Sequence, residues 1–430
     1  MPLRDPSASS RQSLGIRPST FLPSGSASSV SSVPLRCIPA DCIPIAMFII
    51  RPAQPKDLPT LLKLARMVHF INLPADSDLL AAKIRKSLAS FGGKAKSERE
   101  RQFMFVLEDL ETENVIGTSA VISAISWPGF PHVFLKLGRR EFVSRDLATG
   151  QVHTTLQFGT DESSPSEMGG LILAPGYRGH KEKLGALLSM VRFHFIGLHR
   201  AWFSERIIAE MMGTVTPDSH TLLWEYLGRR FINLSYKEAD LFSARSKEFM
   251  LSLFPRDEIF VSLLPPEARS LIGKVGEETV PALAMLERQG FRETGNVDPF
   301  DGGPYVEAER DAIPLVAATR TCTLGPALAA SGAPDEAAIV SHEHKDDFRA
   351  VRTRYALNGQ TLSITAEAMQ ALGVKAGATV GFTPAEARVA QAKPAGRGKA
   401  GKKAGGAAPA ARPRGTRSTA TSVAKAKARA

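Results

Sequence analysis

The run from Glu167 to Ile196 constrains this chain more than any other stretch. Residues 167–174 (EMGGLILA) read as a strand. Residues 175–183 (PGYRGHKEK) read as a basic, glycine-bearing loop, and 184–196 (LGALLSMVRFHFI) as an amphipathic helix. Free N–H groups at a helix start, with the positive end of the helix dipole, make such a loop a place for an anion. The extended strand ahead of it can pair with an extended ligand arm as though with another strand. The plainer alternative is a strand–loop–helix unit whose basic loop is merely solvated.

Upstream, Phe48 to Pro52 reads as a strand. Asp57 is placed to cap a helix with Pro59 in its first turn. Leu58, Leu61, Leu62, Ala65 and Val68 follow the helical spacing of one buried face. Two further strands are expected over Phe103–Glu108 and Val115–Ile125, joined by the polar turn 111–114. Strand, helix, then antiparallel strands points to an α+β domain.

Both ends differ from this body in composition. Residues 1–46 are rich in Ser, Pro and Arg without periodicity, so they are expected to be a disordered leader, or a start misassigned ahead of Met47. The net charge of +11 equals the eleven Lys and Arg that follow residue 392, where there is no Asp or Glu. Residues 385–430 therefore read as a disordered basic tail of Ala, Gly, Lys and Arg. It is suited to loose, sequence-independent nucleic-acid contact, or is simply a solubilising extension. Cys37, Cys42 and Cys322 make no disulfide framework, which fits a cytoplasmic location. No run of 18 apolar residues occurs, so no membrane span is expected. No Cys/His spacing suggests a metal site.

Several segments, in order, resemble the arginine N-succinyltransferase family: Ile50 to Leu58, Asn72 to Asp76, Phe105 to Asp109, Ile208 to Gly213, Trp224 to Phe231, Ile272 to Val275, Leu286 to Arg292 and Asp298 to Pro304. The last, DPFDGGP, is the most distinctive. The resemblance implies a GNAT-like acyltransferase fold over 47–324, a mixed, largely antiparallel sheet flanked by helices. It also implies transfer of a succinyl group from succinyl-CoA, a co-substrate, to the α-amine of L-arginine or a related amine in arginine breakdown. No permanently bound cofactor is implied, and an oligomer is expected. The alternative is a nucleic-acid-associated protein with an altered acyltransferase domain.

By the same resemblance Leu171 contacts succinyl-CoA, and Arg178, Gly179 and Gly185 belong to its pyrophosphate loop. Asn72 and Asp301 are the expected acceptor contacts. Glu210, at a strand end, is expected as base or cation partner, against the plainer reading of a surface ion pair. The chain departs from the family where a proton-donor histidine would follow the Ile-Gly-x-Val segment. That place is Gly276, followed by Glu277 and Glu278. A replacement donor is then sought in Glu278, His180 or ordered water, and the acceptor amine and acyl group stay open.

Downstream, 325–347 reads as a linker. Residues 348–384 read as a small β-rich module, with a hairpin signal at Asn358-Gly359 of the type I′ kind. This module resembles those of the AbrB type, which dimerise and bind DNA; the same pattern also serves as a plain packing element.

Overall fold

The computed structural model describes residues 48–67, 73, 75–216, 220–328 and 336–387. Val68, Asn72, the leader and the tail after 387 lie outside them. The described residues start on β1 (Phe48–Pro52), then α1 (Leu58–Met67), α2 (Ser77–Phe91), β2 (Gln102–Asp109) and β3 (Asn114–Ile122). A long hairpin follows, β4 (His132–Ser144) and β5 (Thr149–Asp161), then β6 (Ser166–Leu173), α3 (Leu184–Leu198) and β7 (Arg206–Glu210). Next come α4 (Arg229–Phe231), α5 (Tyr236–Ser243), α6 (Glu248–Leu253), β8 (Ile259–Phe260), α7 (Pro266–Arg269) and α8 (Val280–Glu287). The rest is β9 (Arg292–Val297), β10 (Pro304–Glu309), α9 (Pro314–Ala318), β11 (Arg320–Leu324), β12 (Ala337–His344), β13 (Asp347–Asn358), β14 (Thr361–Ile364), α10 (Ala366–Leu372) and β15 (Thr379–Pro384). Among the described residues no helix is long and apolar enough to cross a membrane.

The strands form one mixed sheet in the order β12-β15-β11-β14-β13-β1-β2-β3-β6-β7-β10-β9-β4-β5-β8. Its pairings are antiparallel except β6 with β7 and β11 with β14. β1 is buried along its whole length because it is paired on both edges, with β2 and, at Ile50↔Ala350, with β13.

Three sequence expectations change here. Asp57 is not the N-cap; that place is Gln54, and Asp57 closes its capping box. It sits in a short 3-10 turn, where its carboxylate takes Arg51 at 2.7 and 3.0 Å and the Gln54 N–H at 2.8 Å. A buried guanidinium needs such a partner more than an exposed helix start does. The turn at Asn358-Gly359 has Gly359 at φ +60° with no positive φ at Gln360. That is the pattern of a type II′ rather than a type I′ hairpin. Finally, the stretch read as a linker contains β12, which pairs with β13 and β15, and β11 pairs with β15 as well. The C-terminal unit thus starts earlier than its hairpin signal. Its core runs from Cys322 and Leu324 to Phe382 and takes in Ile49 of β1.

Helix α3 is buried over most of its length. His194 is fully buried there, bonded to Thr383 Oγ1 at 2.6 Å and Ser341 Oγ at 2.7 Å. Burial pushes its pKa down to about 3, so the ring is neutral and joins α3 to β12 and β15.

Candidate functional site

Strands β6 and β7 pair only at Ser166↔Ile207 and Glu167↔Ile208. Beyond that point β6 bulges: Gly170 is at φ +60° and the register against β3 shifts between Thr118 and Ala120. β7 ends at Glu210. The parted strands leave a cavity of about 100 Å³ between residues 168–171 and 209–212, closed by Arg192 of α3 and by Glu278, Thr279, Ala282 and Leu286. The Thr279 hydroxyl is buried there without a hydrogen-bond partner.

Arg178 and Glu278 form an exposed ion pair at 3.3 Å. The loop behind them turns on Gly179 at φ +74°, and Lys183 enters α3 in the left-handed region without a side-chain cap. The first N–H groups of a helix entered this way have no intrahelical partner.

A second cavity, of about 430 Å³, has an apolar wall of Trp127, Phe130 and Phe300. Its charged lining holds Glu167, Glu210, Asp240 and Asp298 together with Lys83, Lys86, Arg99 and Lys247. Glu210 lines both cavities. The Tyr305 hydroxyl lies 3.0 Å from Asp298 Oδ2, to which it donates, and 3.4 Å from Glu210 Oε2.

Burial, ahead of all else, raises the Glu210 pKa well above the carboxylate range, and the neighbouring Asp298, Asp301, Glu167 and Asp240 add to it. Burial likewise raises Asp298, and it brings Asp240 to about 7. His132 is pushed down to about 4 by burial and by Lys247, so it is neutral. Lys247 is lowered by burial against the pull of Glu210 and Asp298. Desolvated carboxylates that crowd one another favour a proton or an incoming cation. Perturbed groups converging on a mostly apolar pocket mark a binding or catalytic site.

Of the residues expected from sequence, Glu210, Leu171 and Glu278 line the small cavity. Arg178 and Gly179 stand in the loop before α3, and Gly185 is in that helix's first turn. Asn72 lies outside the described residues. Asp301 lines neither cavity. It is fully buried, and its oxygens accept the Gly213 N–H at 2.9 Å and the Gly303 N–H at 2.7 Å. A carboxylate so occupied holds backbone rather than substrate; the acid that faces the large cavity is Asp298, three residues earlier.

Gly276 belongs to the same knot of backbone. Its N–H donates to the Met212 carbonyl at 3.0 Å, and a Cβ there would lie 2.7 Å from the Gly213 oxygen. The position has no room for a side chain. Asp240, Lys247, Asp298, Tyr305, His132 and Arg192 escaped the sequence reading. Four lie on separate elements, α3, β4, α5 and β10, and two, Lys247 and Asp298, lie in connections. They share no local spacing, and the signals on offer were Arg192 inside an apolar helical run and Asp298 at the head of the DPFDGGP segment.

Comparison with known proteins gives a consistent result. Residues 48–315 match the family model described as arginine N-succinyltransferase beta subunit. Residues 320–384 match the model of the C-terminal domain of the same beta subunit. The chain is 34% identical to the arginine N-succinyltransferase of Yersinia pestis, over 78% of this chain and 97% of that protein. It is also 34% identical to that of Enterobacter sp. (strain 638), over 78% and 96%. Among solved structures it is similar to arginine/ornithine succinyltransferase subunit AI from Pseudomonas aeruginosa. That match has a TM-score of 0.67 and 27% identity, and covers 79% of this chain and 99% of the other.

Proposed function

The chain belongs to the arginine N-succinyltransferase family, and from that premise we propose that it is a CoA-dependent N-acyltransferase of GNAT-like fold. It moves a succinyl group from succinyl-CoA to the α-amine of L-arginine, or of a related cationic amino acid, in arginine catabolism. The observation that carries this reading is that Glu210 stands in the wall of both cavities.

Acyl-CoA enters past Arg178 and Gly179, its pyrophosphate over the start of α3. Its pantetheine arm runs into the gap between β6 and β7, so that the thioester reaches the small cavity beside Leu171. The amine comes from the large cavity. There Glu167, Asp240 and Asp298 suit a guanidinium, and Lys83, Lys86 and Arg99 suit an α-carboxylate. Glu210, directly or through water, removes the ammonium proton; its raised pKa brings it nearer the amine's own. The amine nitrogen then bonds to the thioester carbon. The oxyanion is held by backbone N–H of the parted strands, and the C–S bond breaks with its electron pair on sulfur. As the carbonyl re-forms, the adduct nitrogen gives up its second proton to that thiolate, and the proton taken by Glu210 passes to solvent. No side chain at 276 takes part.

A nucleic-acid-associated role is not favoured, since the family match extends through 384. We read 320–384 as a packing domain of the enzyme and not as a separate DNA-binding module.

The test uses the full chain with succinyl-CoA and L-arginine, following free CoA and succinylarginine by mass spectrometry. Glu210→Gln should retain CoA binding and lose turnover by about 10²–10⁴-fold, the usual worth of a positioned base. Full activity in Glu210→Gln would remove the base from this scheme. Absence of turnover with any cationic amino acid would remove the transferase reading.

A further inference from the structure

Resting on that reading, we propose that Arg192 is the receptor for the terminal carboxylate of the acyl group, the residue that selects a dicarboxylic acyl donor over a plain fatty one.

Arg192 lies in the middle of α3, 3% exposed, in the wall of the cavity where the strands part. Its protein contacts are all uncharged. Nε donates to the Ser189 carbonyl at 3.1 Å, Nη2 to Ser189 Oγ at 2.8 Å, and Nη1 reaches the Gly169 carbonyl at 3.4 Å. A guanidinium has five N–H donors, so two remain beyond these three contacts. The two acids of the same cavity are placed otherwise. Glu278 pairs with Arg178 at the surface, and Glu210 lies beside Tyr305.

Among the described residues Arg192 makes no ion pair, and burial alone lowers its pKa to about 9. A buried cation without a carboxylate is costly, and proteins keep one where a ligand supplies the charge. Apart from the Thr279 hydroxyl, the rest of the lining is apolar, with Met168, Leu171, Ala209, Met211, Ala282 and Leu286 among it. That wall suits the methylene pair of a succinyl group and leaves Arg192 as the cation for its end. The ligand chemistry is thus a short acyl chain ending in an anion that takes two parallel N–H bonds, which guanidinium offers and ammonium does not.

Butyryl-CoA has the same number of acyl carbons as succinyl-CoA but ends in a methyl group, which makes it the probe. The full chain should prefer succinyl-CoA in kcat/KM by about 30-fold or more, the usual cost of leaving one partner of a buried charged pair alone. In Arg192→Met that preference should fall towards unity through loss on succinyl-CoA, with butyryl-CoA unchanged or improved. Arg192→Lys should fall between, since charge is kept and the fork is lost. Arg192→Gln supplies a second neutral variant if Arg192→Met does not fold. Equal use of both thioesters by the unaltered protein would overturn the proposal, as would loss on both alike in the neutral variants. If the unaltered protein transfers neither acyl group, the transferase reading fails on its own. The preference is then read from calorimetric affinities for the two thioesters, with the same two outcomes deciding.

Discussion

Glu210 and its neighbours are held in a state that stability measurements can detect. Asp240 has its pKa raised by burial to about 7, Asp301 to about 8, and Glu210 well above the ordinary carboxylate value. A carboxylate whose pKa is higher folded than unfolded binds more protons when folded. Its contribution is therefore present at low pH and is lost as pH rises between the two values. We expect the unliganded protein to lose melting temperature as pH rises from about 6.5 to about 8, where Asp240 and Asp301 still titrate and the buried histidines His132 and His194, which act in the opposite sense at lower pH, no longer do. L-arginine should restore part of the loss, because a bound cation favours the ionised acids. A melting temperature that rises across this window would contradict the buried-acid account. Gly276 makes the converse point, that the histidine expected there from the family resemblance cannot simply be put in. With a Cβ only 2.7 Å from the Gly213 oxygen, backbone must move before a histidine fits. Overpacking of this kind costs about 1–3 kcal/mol. Gly276→His should therefore melt lower and turn over no faster; equal stability with faster turnover would show that the 211–213 loop yields easily.

At the scale of elements, the sequence was clearest where one segment carries its own signal. Phe48 to Pro52, the face of Leu61 and Ala65, and the strand–loop–helix from Glu167 all stand as expected. The buried residues of α1 are Leu61, Leu64 and Ala65, with Leu58 and Leu62 at the margin. The C-terminal strands were harder to read. β12 (AAIVSHEH) has a buried half and an exposed, charged end, which blurs the period of two that identifies a strand. The site was legible only in part for a related reason. Glu210 ends a strand inside a recognisable segment. Asp240, Lys247, Asp298 and Tyr305 meet it only through tertiary packing, and each alone looks like a surface charge or a core aromatic. Arg192 did leave a trace, since a charge amid LGALLSMVRFHFI needs an explanation when that helix is buried.

Seen as a whole molecule, residues 320–384 continue the sheet of the acyltransferase part past its edge strand β1. β13 pairs with β1, Phe348 packs its ring on Phe105 and Phe195 with centroids 5.5 and 5.2 Å apart, and Ile49 belongs to the C-terminal core. Cutting the chain after Leu324 would remove β12 to β15 together. It would bare one edge of β1, expose the fully buried faces of Phe105 and Phe195, and leave His194 of α3 without Thr383 and Ser341. An unsatisfied buried polar group alone costs about 1–3 kcal/mol, and an open, apolar strand edge invites pairing with another chain. Because α3 also carries Arg192 and the proposed pyrophosphate loop at its start, loosening its far half should disturb the acyl donor's site as well. We expect the chain ending at Leu324 to aggregate or to melt without a cooperative transition, and to lose CoA affinity, while the full chain melts as one unit. Size-exclusion chromatography, a circular-dichroism melt and calorimetry with CoA check this. A monomeric truncated chain with an unchanged melting temperature and CoA affinity would instead make 320–384 an independent attachment, despite the strand pairing with β1.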